Sequence, residues 1–243
     1  MFLRERATQA EYFDSPGRTV EEMRGHYSEL NRLNGITRFA GSFEEGIPAL
    51  VGTEACRELT LLDVGAGDGF LGRSLSAWAR TRGWDWRFTG VDHCPEAADV
   101  AEGGRHVTGS ATALPFPDAS FDVVTALSMT HHMDTEADLT AHFREAARVS
   151  RLGVMVCDLN RSALLWAGLW VGLMGMSKGF RRDALISVRR AWRADEWRRA
   201  ARGAGMEGAS VWVKHRTRLL LSWRKGAAGR PVPTPPTEPV APR

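Results

Sequence analysis

Leu61-Leu62-Asp63-Val64-Gly65-Ala66-Gly67-Asp68-Gly69-Phe70-Leu71-Gly72 is the stretch that decides the fold. It starts as a short apolar run, reaches an acid, and then places glycine at every second position. A short apolar run bounded by glycine reads as a buried strand. Gly65, Gly67 and Gly69 lack Cβ, so the backbone can take positive φ and a ligand can approach it closely. A strand that turns this sharply into a helix is the first βα unit of a doubly wound α/β sheet. A bare tight turn would use the same glycines, so the decision needs what lies downstream.

Arg87-Phe88-Thr89-Gly90-Val91-Asp92 is a second short strand ending in an acid. Asp92 follows Gly65 by 27 residues, near the offset of about 20 expected for a ribose-binding acid after strand two. A carboxylate there accepts hydrogen bonds from both ribose hydroxyls and repels a 2′-phosphate. Asp92 also suits the N-cap region of a helix opening at Cys94-Pro95-Glu96, with proline in its first turn. The two roles are compatible.

The third block is Gly109-Ser110-Ala111-Thr112-Ala113-Leu114-Pro115-Phe116-Pro117-Asp118-Ala119-Ser120-Phe121-Asp122-Val123-Val124, followed by Thr125-Ala126-Leu127-Ser128-Met129-Thr130-His131-His132. With the first two blocks, in this order and spacing, the chain resembles the class I S-adenosylmethionine-dependent methyltransferases. It is closest to the small-molecule branch typified by quinone-biosynthesis enzymes. The resemblance covers residues 58–160 well and the flanks loosely. It implies a Rossmann-like, doubly wound α/β fold whose seven-stranded sheet is mostly parallel with an antiparallel last strand. It implies S-adenosylmethionine as cofactor. Asp63, Gly65 and Gly67 would line its methionine and ribose part. Asp92 would hold the ribose hydroxyls with His93 beside the adenine. Ser110 and Ala111 would face the adenine ring, and Leu127 would close the site below the sulfonium. Ser110 stands where the family often has an acid, which predicts weaker cofactor affinity and the same cofactor.

Around this centre, 243 residues suffice for one α/β domain with a sizeable core and extra elements. Residues 1–52 read as an N-terminal helical cap, 53–225 as the methyltransferase domain, and 226–243 as a Pro-rich extended tail. In the cap, Met23, Tyr27, Leu30 and Leu33 approximate one helical face. Tyr12 and Tyr27, the only tyrosines, are candidates for substrate contact, with packing on the sheet an equal reading. Helices are expected near 69–82, 135–151 and 194–204. Strands are expected near 59–64, 84–92, 105–109, 122–127, 153–159, 209–215 and 216–223.

After strand five, Ala163 to Met176 carries no charge. A spanning helix needs about 20 apolar residues, so this helical insert does not cross a bilayer. It reads as a buried helix on the sheet, as a lid whose Trp166 and Trp170 wall an apolar pocket, or as a shallow membrane contact. From Lys178 to Lys225 there are 14 Lys or Arg against four acids. Most are placed on the 194–204 helix or late strands as a solvated face, with an anionic partner as the other reading.

Cys56, Cys94 and Cys157 show no paired or zinc-type spacing, so no metal site and no disulfide framework is expected, in keeping with a cytoplasmic protein. Methyl transfer from a sulfonium brings its own leaving group. The protein must align donor and acceptor and expose the acceptor's lone pair. His131 and His132, just past strand four, are the candidate catalytic residues, since histidine titrates near neutrality. A neutral orienting hydrogen bond is the other reading for them. Asn160 is a candidate substrate contact, beside Asp158 and Arg161. The expected acceptor is an apolar aromatic small molecule, a phenol, quinol or polyketide-type compound methylated on oxygen or carbon. The alternative is an RNA methyltransferase that uses the basic C-terminal third. Oligomeric state is left open.

Overall fold

The computed structural model describes residues 3–13 and 17–226. The expected tail lies, beyond Gly226, outside the described residues. The elements run α1 (Val20–Thr37), α2 (Gly41–Val51), β1 (Glu58–Val64), α3 (Phe70–Arg80), β2 (Asp85–Asp92), α4 (Pro95–Val100), β3 (Arg105–Thr108), β4 (Phe121–Leu127), α5 (Glu136–Val149), β5 (Ser150–Leu159), α6 (Ala163–Gly172), α7 (Lys178–Arg190), α8 (Ala194–Gly203), β6 (Ser210–Lys214) and β7 (Arg218–Arg224). They build one seven-stranded sheet in the order β3-β2-β1-β4-β5-β7-β6. All pairings are parallel except those of β7 with β5 and β6. The order reverses between β1 and β4, and the crevice at the carboxyl ends there is where open α/β sheets take ligands.

Alternation along the strands fills two cores. Leu59 and Leu61 of β1 face α2 and α3, packing with Phe43, Ile47, Leu50 and Leu75. Leu62 and Val64 face the other side, packing with Leu139 and Phe143 of α5 and Trp197 of α8. A parallel strand buried on both faces reads as a continuous apolar run, as β1 does. Helix α1 lies over the carboxyl ends of the strands, whereas α2 is part of the core.

Local chemistry sets the helix starts. Thr19 and Glu22 form a reciprocal capping box on α1, and Thr135 and Asp138 form one on α5. Pro95 sits in the first turn of α4, where its missing N–H costs nothing.

Two expectations need correction. The uncharged segment does not form a helix buried on the sheet. Helix α6 has no buried residue, and Leu164, Trp170, Val171 and Met174 are each more than half exposed. The reason is that α2, α3, α5 and α8 already cover both sheet faces, so α6 packs along α7 instead. The basic residues are also placed differently. Lys178, Arg181, Arg182, Arg189 and Arg190 sit on α7, a helix whose charged sequence gave no apolar period to mark it.

Candidate active site

The glycine turn is held at β2. Gly65 N–H and Ala66 N–H both donate to the Val91 carbonyl, at 2.8 and 3.2 Å. Gly65 and Gly67 take φ of 71° and 53°. A Cβ on Gly65 would fall 2.2 Å from Met129 Cγ, and one on Gly67 would fall 2.6 Å from the Tyr27 ring. Both positions therefore demand glycine for conformation and for space.

Asp92 closes the far side. Its Oδ2 accepts from Gly67 N–H at 2.9 Å and its Oδ1 from Cys94 N–H at 3.0 Å. Burial alone would raise this carboxyl. The hydrogen bonds from His93, Cys94 and Gly67 outweigh it and hold the pKa below the usual range. Asp63, at the end of β1, has the opposite environment. It is 4% exposed, receives the Thr125 hydroxyl at 3.1 Å, and burial pushes its pKa to about 7 despite that bond. Nearby Asp92 adds to the rise.

A cavity of about 830 Å³ runs over this turn. Asp63, Gly65, Gly67, Asp92, His93, Ser110, Ala111 and Leu127 all line it. The residues fit an adenosine-type sulfonium. Asp92 Oδ2 takes one backbone N–H and keeps a lone pair for a ribose hydroxyl, while Oδ1 takes the Cys94 N–H and lies 3.4 Å from His93 Nδ1. The glycine turn presents backbone without side chains. The Ser110 hydroxyl lies 2.9 Å from that of Thr112, so it is shared with a neighbour where the family often offers a carboxylate.

Helix α1 bears on the turn. Tyr27 lies against Gly67, and Asn31 donates to Asp68 at 2.7 Å. Met23, Tyr27, Leu30 and Leu33 all line the cavity, the stripe that their spacing marked.

The other end of the cavity lies past β4, at a three-residue 3₁₀ turn, Thr130–His132. Before it, Ser128 adopts φ 52°, a strained backbone for serine beside a site. His131 is 3% exposed. Its Nδ1 lies 2.8 Å from Asp158 Oδ1 and its backbone N–H donates to Asp158 Oδ2 at 2.9 Å. On the other side, His131 Nε2 lies 3.7 Å from Glu11 Oε1. The His132 ring lies 4.2 Å from that of His131, centroid to centroid.

Glu11 arrives on an N-terminal arm that is strapped across α7. Tyr12 and Phe13 N–H donate to the buried Asp183 carboxylate at 3.0 and 3.2 Å. Ser187 donates to Glu11 at 2.8 Å, and Ala7 N–H donates to the Arg189 carbonyl at 3.0 Å. The sequence gave no local sign of Glu11. The one available hint was an acid near Tyr12, which is common.

Four of the expected substrate contacts lie elsewhere. The Tyr12 ring is stacked under the Arg18 guanidinium at 3.9 Å. Asn160 is turned away, donating to the Arg216 carbonyl at 3.1 Å. Trp166 and Trp170 line a second groove of about 410 Å³ with Lys178, Arg181, Arg182 and Arg189. From α6 it is Leu165 and Leu169, not the tryptophans, that reach the main cavity. Helical phase made the difference, since the tryptophans are four residues apart and share a face.

Residues 62–157 match the family described as "Methyltransferase domain". Over this stretch the chain is similar to S-adenosylmethionine-dependent methyltransferase domains, which points to S-adenosylmethionine as the cofactor. It is 34% identical over 115 residues to "Uncharacterized methyltransferase YcgJ" of Bacillus subtilis, covering 43% of this chain and 42% of that protein. It is 35% identical over 121 residues to a "Demethylmenaquinone methyltransferase" of Roseiflexus sp., covering 45% and 47%. The chain spans about half the length of the curated relatives it matches. Among solved structures, the plantazolicin methyltransferase BpumL superposes with a TM-score of 0.64 at 13% identity, covering 88% of this chain and 91% of that one. At that identity the likeness shows the fold.

Proposed function

We propose that the protein transfers the methyl group of S-adenosylmethionine to oxygen or carbon of an apolar aromatic small molecule of phenol, quinol or polyketide type. The observation that carries this reading is one continuous cavity. It joins the glycine turn and Asp92 to the histidine pair, with apolar walls from Phe13, Leu30, Phe39, Leu169 and Phe180. The likeness to demethylmenaquinone methyltransferases supports a quinol-type acceptor. When bound, the cofactor supplies an electrophilic methyl group on a sulfonium. Asp92, with His93, would orient the nucleoside, and Asp63 would lie beside its methionine part. Ser110 and Ala111 would face the adenine, and Leu127 would lie below the sulfonium. Helix α1 would cover the reacting centre and exclude water. Alignment of two reactants can supply about 7–11 kcal/mol of barrier lowering. His131 and His132 would meet the acceptor, His131 with its ring held by Asp158.

The domain reading divides the chain at residue 52 into a cap and a methyltransferase domain. Three free cysteines, Cys56, Cys94 and Cys157, support a reducing, cytoplasmic compartment. The test is a labelled-methyl assay against phenols, quinols and polyketides, with the product's methyl located by mass spectrometry. No turnover with any of them, despite cofactor binding, would refute the acceptor class.

A second reading concerns the α6–α7 surface. We propose that it rests on an anionic membrane surface. The exposed Leu164, Trp170, Val171 and Met174 stand beside the cations of α7, a pairing that binds anionic lipid interfaces. No helix among the described residues is long and apolar enough to cross a membrane. Vesicles containing phosphatidylglycerol should pull the protein down and neutral vesicles should not. Salt-sensitive RNA binding without vesicle binding would instead favour the RNA methyltransferase reading.

A further inference from the structure

We infer that Glu11, His131 and His132 form a binding site for a divalent transition-metal ion, of zinc type, at the acceptor end of the cavity. One ligand atom from each side chain can be chosen so that all three lie within 4.8 Å of one another. Two ligand atoms on a common ion at about 2.1 Å, in tetrahedral geometry, stand about 3.4 Å apart. His131 Nε2 and Glu11 Oε1 are already at 3.7 Å, close to that separation.

The chemistry of the pair points the same way. Asp158 occupies the Nδ1 side of His131 and fixes the proton there. Nε2 then faces the carboxylate of Glu11, with Glu11 7% and His131 3% exposed. A second imidazole, His132, brings a ligand atom to within 4.8 Å of both. Asp158 behind His131 is the carboxylate that orients ligating histidines in metal sites. Two histidines and one carboxylate suit zinc or another first-row divalent ion, not calcium or magnesium.

The neighbouring cation is Arg190. Arg190 lies 3.3 Å from Asp134 and donates to the His132 carbonyl. All three ligands line the main cavity, so the ion's open face would turn toward it. On the methyl-transfer reading, that face would take an acceptor oxygen, of the phenol or enol kind. The site itself does not depend on that reading. The sequence expectation of no metal rested on cysteine spacing. Adjacent histidines have no ligand spacing of their own, and Glu11 joins them only through the arm.

The test uses the full-length protein, stripped with a chelator, dialysed, and titrated with Zn²⁺ by calorimetry and Co²⁺ by visible absorption. One ion per chain is expected, with a ligand-field band from Co²⁺. Glu11→Gln and His132→Ala should each weaken binding at least tenfold. Asp158→Asn should weaken it by about 10- to 100-fold. Unchanged S-adenosylmethionine affinity in these variants would show that each remains folded. Absence of stoichiometric binding, or binding indifferent to both Glu11→Gln and His132→Ala, would overturn the site. Should methyl transfer persist in stripped protein that binds no metal, the inference fails while the methyltransferase reading stands.

Discussion

Asp63→Asn should make the ligand-free protein more stable while making it a poorer binder of cofactor. Asp63 sits at the end of β1, is 4% exposed, and has its pKa raised by burial to about 7. An acid raised in the folded state binds more protons folded than unfolded. Stability is therefore full below about pH 4 and falls as pH rises toward 7. From its ordinary value of 3.8 to about 7, each pH unit withholds about 1.4 kcal/mol, so above pH 7 the ionised carboxylate costs at most about 4 kcal/mol. The asparagine amide is nearly isosteric and its oxygen can still accept from Thr125, which donates to Asp63 at 3.1 Å. At pH 8 the variant should melt higher by up to about 8–16 °C, taking 2–4 °C per kcal/mol for a chain of this size. At pH 4 the two proteins should melt alike. The assay is thermal unfolding from pH 4 to 8, paired with calorimetric titration of S-adenosylmethionine at pH 6. There the cationic ligand should expel the Asp63 proton in the wild type, seen as a buffer-dependent enthalpy, and none in the variant. A variant melting at or below wild type at pH 8, with wild-type stability flat from pH 4 to 7, would refute the reasoning.

Asp92→Ala removes an acceptor from Gly67 and Cys94 N–H and should abolish detectable cofactor binding by calorimetry. Gly67→Ala forces a Cβ to within 2.6 Å of the Tyr27 ring at φ 53°; it should cost about 1–3 kcal/mol in chemical denaturation and weaken cofactor binding as well. Trp197→Ala should cost about 3–5 kcal/mol, because that fully buried ring packs edge-on against Phe143 at 5.7 Å. Asp183→Ala leaves Tyr12 and Phe13 N–H without their acceptor; limited proteolysis should then cut the arm near residues 6–13, with the rest of the domain intact.

The sequence by itself determined the sheet, the glycine turn and the acid at the end of β2. That information is local. A βα turn needs glycine at 65 and 67 whatever surrounds it, and β2 ends in an acid because its own backbone and the turn it faces supply the donors. Strands buried on both faces announce themselves as apolar runs, which is why β1, β4 and β5 were legible. Helix α7 was not, because its buried face mixes Phe180, Ile186 and Val188 with the polar Asp183, Ser187 and Arg190. Tertiary structure alone decided the acceptor end. Whether α6 is covered depends on which sheet faces other helices have already taken. Whether Trp166 or Leu165 meets the cavity depends on the rotation of α6 about its axis. Glu11 reaches His131 through hydrogen bonds to α7, groups separated along the chain by most of the domain. No short window of sequence contains those contacts, because their energy comes from pairing buried polar groups across distant segments.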